Sequence, residues 1–71
     1  MSALDKQIEG NHYKNQKIQP LEYIHANNLG FCEGNIVKYI SRYKQKGGQK
    51  DLEKIIHYCE LLIDLEYTNA K

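Results

Sequence analysis

The chain has 71 residues, room for one small domain. It is 41% hydrophobic and 27% charged, a globular rather than a disordered composition. Ten Lys and Arg against nine Asp and Glu leave a net charge of +1, which excludes generic DNA binding, since that requires a net basic surface. No apolar run approaches the roughly 18 residues of a membrane span, and the first ten residues lack the apolar stretch of a secretory signal. Two cysteines, Cys32 and Cys59, make no disulfide framework, so a reducing cytoplasm is the expected compartment. One core of this size supplies only about 3–5 kcal/mol. Assembly with further copies is the expected additional source of stability.

Residues 1–11 are polar and aperiodic and read as a flexible N-terminal arm; residues 12–68 read as a single helical domain. Residues 12–19 read as a loop or extended segment. Pro20 suits the first position of a short helix, where its missing N–H costs nothing. Leu21 and Ile24 share a face of that helix, and Asn27, Asn28 and Gly30 end it, with Gly30 as the left-handed cap. A second helix is expected over 32–46, where Cys32, Ile36, Ile40 and Tyr43 recur at spacings of four and three, flanked by Val37 and Tyr39. Gly47-Gly48 stops it. The third helix carries Leu52, Ile55, Ile56, Cys59, Leu62 and Ile63, with Asp51 and Glu53 in its first turn, at the positive end of the helix dipole.

A short loop makes helices two and three antiparallel neighbours. The expected fold is all-α: an antiparallel helical hairpin plus a short N-terminal helix, assembled as a homo-oligomer. Helix three has a second apolar row, Tyr58, Leu61 and Leu65, more than one partner helix covers. Either the N-terminal segment or a neighbouring subunit meets it, and the small size favours the subunit. Cys59 is expected opposite Val37 with Cys32 further along the axis, so both cysteines are assigned to core packing rather than to a disulfide.

At roughly 100° per residue, helix two places Asn35, Lys38, Arg42 and Lys46 in one sector. Tyr39 borders that sector, and Gly34 lies near its other edge, leaving a gap where a side chain would stand. Arg offers a planar fork for phosphate, Lys a point charge, and Asn an amide that reads a base or a ribose. Most charged stripes are solvated faces, which is the plain alternative. The segment from Lys46 through Gly47, Gly48, Gln49 and Lys50 to Asp51 adds open backbone N–H groups that attract anions, although by itself it reads as an αα turn and is not a Walker A loop. Upstream, His12-Tyr13 with Lys14 and Lys17 offers rings for stacking on a base, or equally a Tyr packed on its own domain.

No metal site is expected: His57 and Cys59 point to different faces, and His12, His25 and Cys32 are scattered. Ser41 has no evident His–Asp partner. If the chain is an enzyme, Glu33 and Asp51 are the carboxylates that would serve as base or magnesium ligand; Glu60 and Asp64 lie far down helix three. Otherwise no cofactor is expected.

His12-Tyr13, the run from Ile18 to Ile24, the run from Glu33 to Tyr43, Lys46-Gly47-Gly48, Asp51 to Lys54, and Tyr58 together resemble a small phage-encoded family long labelled a domain of unknown function. A similar domain occurs in the nucleotide kinase of a lytic podovirus, an enzyme without a Walker A loop. The resemblance covers about residues 12–66 and rests on G-N-x-x-K-Y-x-x-R and K-G-G-x-x-D-L-x-K. It implies a phage protein acting on nucleotides in the cytoplasm of the infected bacterial host, with His12, Tyr13, Gly34, Asn35, Lys38, Tyr39, Arg42 and Lys46 as ligand-binding positions and Asp51 beside them. Kinase activity is not implied, because a 71-residue monomer hardly encloses a phosphoryl donor and an acceptor away from water.

The expected function is sequestration of a phosphorylated, cyclic nucleotide signal of host defence. Cations outnumber catalytic carboxylates in the stripe, as a binding site requires. The alternatives are a nucleoside monophosphate kinase or nucleotide hydrolase that depends on magnesium, and a protein-interaction module that inhibits a host enzyme through its second apolar row.

Overall fold

A computed structural model describes residues 16–68. The expected arm, residues 1–11, and the loop residues His12, Tyr13 and Lys14 lie outside the described residues. The described chain is all-helical: α1 (Pro20–Ala26), α2 (Phe31–Arg42), α3 (Gln49–Ile63) and a π-helical segment, Asp64–Thr68.

Pro20 opens α1 as expected and is buried. The Gln19 backbone N–H donates to Glu22 Oε1 at 2.9 Å, tying down the first turn. At the other end the Asn27 amide donates to the Tyr23 carbonyl at 3.0 Å. The left-handed residue is Asn28, with φ of 55°, and not Gly30. Asn tolerates this region because its side chain is short and polar. Gly30 instead has extended backbone and serves as the N-cap of α2.

Helix α2 ends at Arg42, four residues before the expected limit of 46. Residues 43–48 form consecutive turns, in which Gln45 N–H and Lys46 N–H both donate to the Arg42 carbonyl and Gly48 N–H donates to that of Tyr43 at 2.7 Å. Lys46 therefore leaves the helical stripe. Gly48 has φ 55° and ψ −134°, a conformation open to glycine and little else, so the Gly-Gly stop is a backbone requirement.

Helices α2 and α3 meet through Arg42–Asp51 near the turn, through Tyr39–Tyr58 with ring centroids 6.3 Å apart, and through an edge contact of Phe31 on Tyr58 at 6.1 Å. Helix α1 packs on α2 where Gly34 is buried. A Cβ on Gly34 would stand 3.2 Å from Ile24 Cγ2, so the expected gap is occupied by Ile24. Gln16 reaches the same side of α2, donating to the Ser41 carbonyl at 3.0 Å.

Among the described residues no apolar side chain other than Pro20 is buried, and the only buried charge is Asp51. Only part of the strong apolar row of α3 is turned toward α2: Leu52, Ile55 and Leu62 are half-buried, whereas Ile56 is 58% exposed, Ile63 is 52% exposed, and Cys59 is exposed rather than packed in a core. Tyr58, from the second row, meets α2 instead, while Leu65 is exposed in the π-helical segment. The cause is the ion pair at the turn. Bringing Asp51 against Arg42 fixes the rotation of α3, and Cys59, Ile63 and Ile56 then lie roughly 80–140° around the helix from that contact at 100° per residue.

Candidate functional site

The turn end of α2 and α3 is organised around one carboxylate. Asp51 accepts from Arg42 Nε at 3.1 Å and from Arg42 Nη2 at 3.3 Å, and it also accepts from the Gly47 backbone N–H. Lys54 Nζ lies 4.0 Å away on the next turn. Asp51 is 1% exposed, so this is a buried ion pair with its acceptors satisfied. The Arg42 hydrogen bonds hold the Asp51 carboxyl below its ordinary value of 3.8, against the opposing effect of burial. A Cβ on Gly47 would collide with that carboxylate, which is why glycine stands there. K-G-G-x-x-D is thus a polar lock that sets the turn, and Arg42 and Asp51 work within it.

Beside the lock sits the Tyr39 ring. Arg42 Cζ lies 4.6 Å from its centroid, Lys38 Nζ 4.8 Å and Lys54 Nζ 4.9 Å. Three cations on one half-buried ring, one of them balanced by Asp51, leave a net positive site with an aromatic centre. Tyr58 stacks alongside at an interplanar angle of 17°. The pair opens on a groove of about 630 Å³, lined by Tyr39, Lys50, Glu53, Lys54, His57, Tyr58 and Leu61. Gln49 Nε2 donates to Glu53 Oε2 at 2.9 Å at its edge.

The structure brings together Lys38, Tyr39 and Arg42 from the expected set. Among the described residues it does not bring Gly34, Asn35 or Lys46 to them, and His12 and Tyr13 lie outside the described residues. The Asn35 amide donates to the Phe31 carbonyl at 2.9 Å within its own helix. Gly34 is under Ile24, and Lys46 is exposed in the turn. Glu33 curls toward the N-cap, with Oε1 2.6 Å from where a Cβ on Gly30 would stand. It is therefore at the opposite end of α2 from Asp51, about 13 Å along the axis by the rise per residue. The two carboxylates proposed for an enzyme do not share a site. Among the described residues no three His, Cys, Asp or Glu side chains gather as a metal site, and no helix is long and apolar enough to cross a membrane.

Lys50, Lys54, His57 and Leu61 were absent from the expected ligand-binding set. Their spacing of four, three and four places them on one face of α3, a signal legible at helical periodicity.

A family model described as a protein of unknown function, DUF3310, matches residues 8–60. The chain belongs to that family. The match spans α1, α2, the lock and the Tyr39 site. Comparison with curated proteins and with solved structures gives no match.

Proposed function

We propose that this DUF3310 protein binds a phosphorylated nucleotide in the groove beside Tyr39 and Tyr58 and holds it without turning it over. The observation that carries this is the convergence of Lys38, Arg42 and Lys54 on Tyr39 at the edge of an open groove. A nucleotide combines a flat aromatic base with phosphate charge, and the groove offers both complements. Base stacking on an aromatic side chain contributes about 1–3 kcal/mol. Lys38, Lys50 and Lys54 supply point charges for phosphate, while Arg42 contributes its charge from within the lock.

Sequestration is preferred to catalysis because Asp51 is committed to Arg42 and Glu33 stands at the far end of α2. The resemblance to a domain of a podovirus nucleotide kinase points to the same ligand class. In this view the chain is an antiparallel α2–α3 hairpin assembled as a homo-oligomer in the cytoplasm of an infected bacterium. It withdraws a cyclic nucleotide signal of host defence and needs no cofactor.

The test is calorimetric titration against mononucleotides and cyclic di- and trinucleotides, with and without magnesium, followed by chromatography of the recovered ligand. Saturable binding with the ligand returned intact is expected. Turnover, or binding that requires magnesium and a second nucleotide, would make the protein an enzyme. A second reading, an interaction module that inhibits a host protein, is favoured by the exposed Ile56 and Ile63. Silence across the nucleotide panel would support it.

A further inference from the structure

We infer that the face of α2 and α3 turned away from the groove is where two copies of this chain pair. It gives the homo-oligomer of the preceding reading its interface, and it stands whatever the groove binds.

The two helices contact each other in opposite sequence order, Arg42 with Asp51 and Phe31 with Tyr58. On α2 the residues that meet α3 centre on Phe31, Tyr39 and Arg42. Ile36 and Ile40 lie roughly 100–145° further round at 100° per residue. On α3 the residues that meet α2 centre on Asp51 and Tyr58, and Leu52, Ile56, Cys59 and Ile63 lie roughly 90–150° further round. In helices running opposite ways, equal turns in the same sense fall on the same side of the pair. The apolar rows of α2 and α3 therefore open together onto one face. Helix α1 and Gln16 cover the opposite flank of α2, at Gly34 and Ser41, and among the described residues Ile40, Ile56, Cys59 and Ile63 stay exposed on this face.

Three observations select a second copy as the occupant. First, apart from Pro20 no apolar side chain is buried among the described residues. The covering partner must be present whenever the chain is folded, and another copy always is. Second, the face is about 20 Å long from the lengths of α2 and α3, and two helix diameters, about 20 Å, wide. That is a flat area of about 400 Å² per copy, about half of a standard partner patch of about 800 Å², and a size that the same face of a second copy matches. Third, self-pairing brings each charge near its own copy, and the centre of this face has none to repel, with Glu33 and Glu60 at its outer margins. The α2 sector holds Cys32, Ile36, Ile40 and Tyr43, and the α3 sector holds Leu52, Ile56, Cys59 and Ile63. An isologous pairing of such a face buries apolar surface on both sides without an unpaired charge.

The test is sedimentation of the full chain, together with its melting temperature at several concentrations. A mass at least twice the 8.3 kDa chain and a melting temperature that rises with concentration are expected. Ile56→Lys and Ile40→Lys should lower the mass and the melting temperature. Leu21→Lys on α1, equally exposed in one chain, should change neither. A monomeric wild type with concentration-independent melting would overturn the inference. So would an oligomer whose mass survives both lysine substitutions. Lys54→Ala, in the groove, should leave the mass unchanged, which separates failure of the interface from failure of nucleotide binding.

Discussion

The turn end of the molecule and the outer face of α2 and α3 are built on opposite principles. At the turn, one carboxylate is buried at 1% exposure, its acceptors met by Arg42 and the Gly47 N–H. On the outer face, Ile40, Ile56 and Ile63 are each about half exposed or more. The polar lock joins the two helices at the turn, while the outer face keeps apolar side chains exposed among the described residues. A buried ion pair is weak evidence for net stability but penalises the wrong arrangement heavily once one partner is lost.

The sharpest way to break the comparison is to remove one partner of the lock. Arg42→Ala leaves Asp51 buried and uncompensated, and it should cause the largest fall in melting temperature of any single substitution discussed here. Asp51→Asn should be milder, because the Arg42 guanidinium it leaves unpaired is 15% exposed and reaches water, whereas the Asp51 carboxylate is 1% exposed. If Arg42→Ala melts like the wild type, the lock does not organise the turn.

Acid should act on the same group. The Asp51 carboxyl is held low in the folded chain, so its contribution is fully present above 3.8 and is lost as pH falls through the lower folded value. Denaturation midpoints followed from pH 5 downward should therefore drop for the wild type and less for Asp51→Asn.

Gly48→Ala should cost about 1–3 kcal/mol, because φ of 55° with ψ of −134° strains any other residue. Chemical denaturation measures this directly, and no change would mean that the turn relaxes without its glycine. Gly34→Ala should give the smallest effect, within about 1 kcal/mol of the wild type. The gain in helix propensity, about 1 kcal/mol, offsets the crowding of Ile24 at 3.2 Å. It should also leave ligand affinity unchanged, since that space belongs to α1 and not to a ligand.

Much of the fold was legible locally. Pro20 marked the start of α1, the Gly-Gly pair marked the turn, and the periodicity of residues 52–63 marked α3. What was not legible depended on contacts between elements. Gly30 was the obvious left-handed cap, yet Asn28 takes that conformation because Gly30 begins the next helix. Arg42 read as part of a ligand stripe because a helical wheel shows nothing nine residues away, where Asp51 receives it. Periodicity finds two apolar rows on α3 without saying which members meet α2, and Tyr58 of the second row does so while Ile56 and Ile63 of the first are exposed. For the site, Lys38 and Tyr39 were legible on α2, whereas Lys54 joins them only through the rotation that the lock imposes.

Nucleotide holding by the Tyr39 groove is tested most directly by titrating the wild type, Lys38→Ala and Lys54→Ala against the same cyclic and linear nucleotides. Saturable binding by the wild type is predicted, weakened about tenfold by each lysine loss, or about 1.4 kcal/mol, with melting temperatures close to the wild type. Equal affinity in all three proteins, or no binding of any nucleotide by the wild type, would contradict it.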